Sequence, residues 1–266
     1  MEKVNMETLD DLVQALQAYE PGRQEQKEYI ANLTEKLDES VNYGYKQQVK
    51  DTLLEKLGYE IEPDKIRGSL YTIVASILYL KDLGVKKIDK VVEKHPQVLA
   101  YSIESMQDRV DWLRELGVKK IDKVVEQLPQ VLACNIEGMQ DRVDWLRELG
   151  VEDISKFVEK RPQVLGCDIQ KMFDRYSYIT NPEKTPFSIK DIEHFPAALT
   201  YSFERRIVPR FEFIRAKQGS LDGWSLNKIL KPKDTDFVKK LGTSLEEYLK
   251  FMEEVAREAK RYLVEA

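Results

Sequence analysis

Residues 83–115 read LGVKKIDKVVEKHPQVLAYSIESMQDRVDWLRE, and residues 116–148 read LGVKKIDKVVEQLPQVLACNIEGMQDRVDWLRE. The two stretches differ at five of 33 positions, and a third copy starts at Leu149. A proline marks the same place in four successive copies: Pro96, Pro129, Pro162 and Pro196. A repeat of this length predicts a solenoid, in which each unit buries its apolar face against its neighbours. Because solenoids present long surfaces to extended partners, the repeat favours a binding protein.

Each unit is predicted to consist of two helices joined by a short turn. The apolar residues of the first helix fall on one face in the first unit: Val85, Ile88, Val91 and Val92. Pro96 ends this helix, because proline lacks an N–H and disfavours helix in the residue before it. The stretch PQVLA then forms a turn of 3₁₀ type. A residue that can cap a helix N-terminus follows in every unit: Ser102, Asn135, Asp168 and Ser202.

The cap position sets the start of the second helix. In the first unit that helix is predicted to run to about Leu116, and Gly117 suits the left-handed residue that closes it. The fold class is therefore all-α. Three apolar-striped stretches before the repeats, METLDDLVQALQAY, RQEQKEYIANLTEKLDES and YKQQVKDTLLEKLG, are also predicted to be helical. The stretch SLYTIVASILYLKDLG is predicted to be the last helix of a decayed unit, ending at Gly84.

The domain organisation follows from these patterns. We expect residues 1–66 to form an N-terminal cap or degenerate repeats, because a solenoid end needs a polar outer face. Residues 67–245 are predicted to hold the repeat array, with clear units from 83, 116, 149 and about 183, and residues 246–266 a C-terminal helix. Together they are expected to form one continuous solenoid.

Charge is distributed unevenly along the chain. The net charge is −5. Residues 1–76 carry nine Lys or Arg against 15 Asp or Glu, whereas residues 205–240 carry ten against four. The total mildly opposes binding to a polyanion, while the C-terminal excess favours it. No apolar run reaches the length needed to cross a bilayer, so no membrane association is expected. The N-terminus lacks a targeting pattern, so any such peptide has been removed or never existed.

The cysteines and histidines predict no catalytic or metal site. Cys134 and Cys167 occupy the same repeat position, on successive rungs too far apart for a disulfide, and are interpreted as packed thiols in a reducing compartment. His95 and His194 each lie shortly before a repeat proline and are interpreted as helix-end residues. No glycine-rich phosphate loop or nucleophile–histidine arrangement is present, so neither an enzyme nor a cofactor is predicted.

The fourth unit, HFPAALTYSFERRIVPRFEFIRAKQG at 194–219, resembles the mitochondrial transcription termination factor (mTERF) family, as does the tail WSLNKILKPKDTDFVKKLG. The resemblance covers about residues 67–245. It implies an α-solenoid of helix–3₁₀–helix repeats, curved into a half-ring with a concave basic groove. Members act in mitochondria and plastids, where they bind double-stranded DNA or RNA and terminate or pause transcription. Others assist rRNA maturation or intron splicing. We expect an organellar protein, in a plastid rather than a mitochondrion, and a monomer.

One arginine recurs in each unit and is a candidate contact for nucleic acid: Arg109, Arg142, Arg175 and Arg210. Stacked units would place these side chains about 10 Å apart, a row that suits successive phosphates because a guanidinium can donate two parallel hydrogen bonds. The resemblance also implies nucleic-acid contact near this position. The alternative is structural, because Asp108 and Asp111 lie close to Arg109 and could form ion pairs between repeats.

The second candidate is a basic cluster at the C-terminal end, for which the alternative is a solvated helix face. Its members are Arg205, Arg206, Arg210, Arg215, Lys217, Lys228, Lys231 and Lys233. Four lysines that begin first helices could extend the groove rim: Lys86, Lys87, Lys119 and Lys120. Trp112, Trp145 and Tyr178 share one repeat position and are interpreted as packing between units rather than stacking on bases.

Three functions stay open at this point. The first is an organellar factor that binds double-stranded DNA or structured RNA. The second is an interaction scaffold whose acidic N-terminal half binds a basic protein partner. The third is an engineered repeat array without a partner.

Overall fold

The computed structural model describes residues 6–40, 46–59 and 68–258, and over these ranges the chain is all-helical, without a strand. The α-helices are α1 Met6–Ala18, α2 Gln24–Ser40, α3 Lys46–Lys56, α4 Leu70–Asp82, α5 Ile88–Lys94, α6 Ile103–Glu115, α7 Ile121–Gln127, α8 Ile136–Glu148, α9 Ile154–Lys160, α10 Ile169–Ile179, α11 Ile189–His194, α12 Val208–Gln218, α13 Leu226–Leu230, α14 Asp234–Lys240 and α15 Leu245–Glu258. The predicted all-α repeat class is confirmed. The predicted boundary between residues 66 and 67 lies outside the described residues.

The predicted unit of helix, 3₁₀ turn and helix is present in all four repeats. The turns begin at the repeat prolines and span Pro96–Ala100, Pro129–Ala133, Pro162–Gly166 and Pro196–Thr200. Proline suits the first position of such a turn because its missing N–H would have no partner there. Each turn directs its Val-Leu or Ala-Leu pair inward, and Val98 and Leu99 are fully buried. Burying such a side chain stabilises the fold by roughly 1.5–3 kcal/mol.

The predicted capping residues begin the second helices. The Ser102 hydroxyl accepts a hydrogen bond from the Ser105 N–H (3.2 Å), and the Asp168 carboxylate accepts one from the Lys171 N–H (2.9 Å). Ser202 caps its helix in the same way. At the other end Gly117 closes α6 with φ of 87°, a left-handed conformation that glycine adopts without a Cβ clash.

A second set of contacts joins first helices of neighbouring repeats. Lys94 donates a hydrogen bond to the Glu126 carbonyl (2.8 Å), at the end of the next first helix. The Glu126 carboxylate accepts in return from the backbone N–H of Lys86 (3.1 Å). Lys160 and Glu193 repeat the first of these contacts at 3.0 Å. The first helices are therefore joined by polar bonds as well as by apolar packing.

The chain forms two compact units, Met1–Ile136 and Glu137–Ala266. In the first, α4 begins at Ser69, whose hydroxyl accepts from the Thr72 N–H (3.1 Å), and ends before Gly84 with φ of 81°. Second helices of the repeats begin and end in the same way, at a capping hydroxyl and a left-handed glycine. In the second, α15 places the fully buried Tyr248 against Phe213 and Phe237, with ring centroids 5.1 and 5.3 Å away.

The cysteines behave as packed thiols. Both are half-buried and free of a disulfide, and burial raises the pKa of the Cys167 thiol, which favours its uncharged form. Within the described stretches, no group of three or more His, Cys, Asp or Glu side chains is placed to hold a metal ion. Across those same residues, no helix combines the length and apolar character that crossing a bilayer requires.

Candidate nucleic-acid interface

The repeated arginines lie at the junctions between repeats. Their Nε–H groups donate from Arg109 to the carbonyl of Cys134 (3.1 Å), from Arg142 to that of Cys167 (2.6 Å) and from Arg175 to that of Tyr201 (2.6 Å). Each acceptor is the residue immediately before the next unit's capping residue. The Nη1 atom of each arginine also donates to a carbonyl one turn back in its own helix. We call the contact to the next unit the junction hydrogen bond.

Arg210 makes the corresponding contact from a fully buried position. Its side chain is 0% exposed, and its guanidinium donates to the carbonyls of Ile229 (2.6 Å) and Pro232 (2.9 Å). Pro232 precedes Lys233, the N-cap residue of α14, so the fourth arginine also bonds to the carbonyl before an N-cap position, here through Nη2 rather than Nε. Asp234 accepts from the same guanidinium, whose carbon lies 4.7 Å from the centroid of the Phe237 ring.

These contacts correct the predicted row of phosphate-binding arginines. For Arg210 the prediction is wrong, because a side chain with no exposed surface cannot contact a phosphate. For Arg109, Arg142 and Arg175 the geometry supports the structural alternative, but the contacts between repeats are made to backbone carbonyls rather than to carboxylates. Asp108 lies 3.7 Å from the Arg109 guanidinium within the same helix, and Asp111 pairs with Arg114 of that helix (2.7 Å).

A π-helical turn changes the register of the fourth unit. Within Phe203–Ile207 the Ile207 N–H donates to the Ser202 carbonyl (3.0 Å), five residues back. The arginine therefore follows the capping residue by eight positions, from Ser202 to Arg210, where the spacing is seven from Ser102 to Arg109. Such single-turn bulges are frequent at functional sites. Here the bulge carries Arg205 and Arg206.

Five basic side chains form what we call the C-terminal basic surface: Arg205, Arg206, Lys228, Lys231 and Lys233. All except the half-buried Arg206 are exposed. Arg206 donates to the Leu230 carbonyl (3.2 Å), next to Lys231, and lies over the Tyr201 ring at 5.1 Å. Arg210 holds both sides of Lys231 through Ile229 and Pro232. The hydrogen bonds from Arg206 and Arg210 thus hold the π-helical turn next to the α13–α14 segment.

The charge of this surface is not neutralised within the protein. In the described part of the chain none of the five side chains forms an ion pair, while the neighbouring Asp234 is taken up by Arg210. Residues 205–240 keep their excess of ten basic over four acidic residues. A local excess of this kind makes the electrostatic potential near this surface positive and attractive to an anionic partner, even though the chain as a whole is acidic.

Three members of the predicted cluster lie outside this surface: the fully buried Arg210, Arg215 and Lys217. Arg215 pairs with Glu212 (2.5 Å) and donates to the Lys184 carbonyl. Lys217 pairs with Glu247 and lies 5.6 Å above the Phe213 ring. Because a carboxylate balances each charge, neither side chain adds to the uncompensated positive charge of the C-terminal basic surface.

Of the three repeated aromatics, Tyr178 is buried, while Trp112 and Trp145 are half-buried. Tyr178 is buried against Phe203 and Phe211, at 5.4 and 5.7 Å, and its hydroxyl donates to Glu212 (2.7 Å). Trp145 is half-buried and meets the edge of Tyr176 at 6.4 Å. Lys86, Lys87, Lys119 and Lys120 are exposed.

The fold and the surface define a class: a helical-repeat protein whose units are joined by arginine hydrogen bonds and whose last units carry the basic residues. The mTERF family model matches residues 19–238, so the chain belongs to the mTERF family. The match begins at residue 19, so residues 19–66 lie inside it, where the sequence analysis placed them outside the resemblance. Comparison with curated proteins returned no match.

Membership of the mTERF family indicates the general class of function. The mTERF family consists of nucleic-acid-binding helical-repeat proteins that are typically organellar and generally not enzymes. Sequence reasoning found this family through the fourth repeat. It missed that the repeated arginines bond to carbonyls, because the direction of a side chain across a repeat junction depends on packing.

Proposed function

We propose that this protein binds nucleic acid in an organelle and regulates gene expression there, with double-stranded DNA as its main target and transcription termination or pausing as the outcome. The C-terminal basic surface carries the proposal, since it offers exposed cations that no carboxylate of the described residues neutralises. Family membership supports the same class of ligand. Among organelles, we propose a plastid before a mitochondrion.

The mechanism follows from the chemistry of the surface. Lysine and arginine side chains bind phosphates and release condensed counterions, which supplies affinity without reading sequence. With five cations the logarithm of the binding constant should fall with the logarithm of salt concentration with a slope of about −4.5 at most. Since the remaining chain is acidic, binding should be strong only at low salt. Structured RNA offers the same phosphates and is the second candidate ligand.

Removing three lysines tests the proposal. We expect Lys228→Gln, Lys231→Gln and Lys233→Gln together to reduce the magnitude of the salt slope by about 2.7, because each phosphate contact contributes about 0.9. Fluorescence anisotropy of a labelled 24-bp duplex and of a hairpin RNA, between about 30 and 200 mM salt, measures this slope. Circular dichroism checks that the variant is folded.

A matched control separates a local surface from total charge. Lys36→Gln, Lys190→Gln and Lys250→Gln remove the same three charges from exposed positions elsewhere, and should leave the slope nearly unchanged. Equal losses in both triple variants would contradict a defined surface. Binding that ignores salt would contradict the phosphate mechanism altogether. A preference for the hairpin over the duplex would assign the surface to RNA.

A further inference from the structure

An apolar stripe runs along one face of α4, far in sequence from the basic surface. Each of Tyr71, Val74, Ala75, Leu78 and Tyr79 lies three or four residues from another member of the set, so the five share one face of the helix. Helix α2 packs beside this face and buries Val74 to 3% exposure. It leaves Tyr71 67% exposed, with Ala75, Leu78 and Tyr79 half-buried.

Between the helices a cavity of about 240 Å³ stays open. Residues of α2, α4 and Ile103 of α6 line it, so it lies wholly within the first compact unit. One end is polar: Asp82 accepts hydrogen bonds from the Tyr19 hydroxyl (2.7 Å) and from the Gly22 N–H (3.0 Å). Asp82 also pairs with Lys27, which raises the pKa of that ammonium and holds it charged. We call this feature the α4 groove.

The repeats show what this face normally carries. Moving 33 residues along the sequence replaces Tyr71 with Glu104, Ala75 with Asp108, and Leu78 with Asp111. The next copy again has acidic residues at these positions: Glu137, Asp141 and Asp144. The two near-identical units therefore present this face to water as an acidic surface, while α4 presents tyrosine, alanine and leucine. Packing on α2 accounts for Val74, but not for the exposed ring of Tyr71.

The borders of the groove are acidic. Glu28 and Glu35 are exposed on α2, and Glu104 and Asp108 are exposed on α6 next to Ile103. Over their full lengths α2 and α6 carry nine Asp or Glu against four Lys or Arg. Of those basic residues, Lys27 is held by Asp82 and Arg114 by Asp111. A ligand in the groove would thus meet an apolar floor with negative charge on both sides.

We infer that the α4 groove binds an amphipathic helix of a partner protein, with its apolar residues in the groove and its Lys and Arg residues over the acidic borders. This is the helix-in-groove mode, in which residues at i, i+3, i+4 and i+7 supply the anchors. Tyrosine is enriched among the side chains that contribute most to such interfaces. The site does not depend on nucleic-acid binding, and it gives the acidic N-terminal half a defined binding surface.

A model peptide tests the inference in the full-length protein. The probe is a fluorescein-labelled 15-residue peptide with leucine at i, i+3, i+4, i+7, i+8 and i+11 and lysine elsewhere on the helix, compared with a scrambled peptide of the same composition. We expect the ordered peptide to bind about tenfold more tightly than the scrambled one, because only the ordered peptide places its leucines on one face. Amide chemical-shift mapping should place the shifts on α2, α4 and Ile103.

Two substitutions distinguish apolar docking from attraction between charges. Tyr71→Glu and Ala75→Asp give α4 the acidic residues that the following repeats carry there. Apolar docking predicts about tenfold weaker binding for each, since a tyrosine anchor is lost or a charge is buried. Simple charge attraction predicts stronger binding, which would overturn the proposal. Tyr71 lies in the first turn of α4, where an acidic residue favours the helix, so folding is preserved.

A third variant tests the borders. Glu104→Gln with Asp108→Gln should weaken the ordered peptide about threefold or more by removing two charges near its lysines. Equal binding of the ordered and scrambled peptides would refute the groove. Binding of phosphatidylcholine vesicles without binding of either peptide would also refute the proposal, because it would show that the groove binds a lipid surface. Duplex DNA binding should be unchanged in all three variants, which keeps this test separate from that of the C-terminal basic surface.

Discussion

Replacing Arg210 with methionine should lower the free energy of unfolding by about 3–5 kcal/mol. The side chain has no exposed surface, and it supplies the donors for the carbonyls of Ile229 and Pro232 and for the Asp234 carboxylate. Methionine fills a similar volume but leaves these acceptors without a donor, and buried polar groups without partners are costly. Urea unfolding followed by circular dichroism at 222 nm measures the loss.

Two further variants identify the cause of this loss. Arg205→Met removes the same charge from an exposed position five residues away and should change stability by less than about 0.5 kcal/mol. Adding Asp234→Asn to Arg210→Met should recover part of the loss, because the neutral amide needs no cationic partner. If Arg205→Met and Arg210→Met lower the free energy of unfolding equally, the buried contacts of Arg210 do not contribute to stability.

The same variant links stability to the proposed binding. Arg210 holds the backbone on both sides of Lys231, yet it cannot contact a phosphate itself. A folded Arg210→Met protein should therefore lose duplex affinity although no exposed charge has been removed. This result would explain how an arginine at a repeat junction can affect nucleic-acid binding without taking part in it.

Much of the fold could be predicted because its signals are local. A capping residue, a proline and a closing glycine act within a few residues, so Ser102, Pro96 and Gly117 define the helix ends from sequence alone. The cap position changes identity among repeats, but each residue used can accept the same hydrogen bond. The helix-breaking and capping chemistry is therefore more constant than the sequence.

The role of the repeated arginines could not be predicted in the same way. Periodicity shows that the arginine at position 109 recurs in each repeat. It does not show whether the side chain points into a nucleic-acid-binding groove or into the junction between two repeats, because the same helix borders both. The choice is made by how closely the next unit packs, which is a tertiary property. Part of the difference in the fourth unit can be predicted from the sequence, since the spacing from Ser202 to Arg210 exceeds that from Ser102 to Arg109 by one residue. That extra residue forms the π-helical turn.

The α4 groove had a similar partial signal. Comparing α4 with α6 position by position reveals the apolar replacements at Tyr71, Ala75 and Leu78. The comparison does not reveal that α2 covers only part of this face, because α2 is not a regular repeat. Recognising the groove required the helices in place.

Deleting one helix should abolish cooperative folding. Deleting a whole repeat, which has about twice as many residues, should preserve it. Removing residues 103–118 takes away α6 with Met106, Val110 and Leu113, all 0% exposed. Losing each buried side chain costs on the order of 2–5 kcal/mol, against a total stability of roughly 5–15 kcal/mol. The junction hydrogen bond of Arg109 is lost as well. Urea and thermal unfolding followed by circular dichroism should show no cooperative transition.

Removing residues 116–148 deletes a whole repeat and is the matched comparison. The new joint places Leu149 after Glu115, which reproduces the natural step from Glu148 to Leu149. Arg109 is then followed at the natural spacing by Cys167, the residue whose carbonyl Arg142 normally bonds. None of the five positions that differ between the two copies is buried in either one, so the retained unit can present the same packing surface. A cooperative transition should persist, with a smaller dependence on urea because less surface is exposed on unfolding. Loss of folding in this variant would show that the near-identical repeats are not interchangeable, and that their positions within the array carry information beyond the repeated sequence.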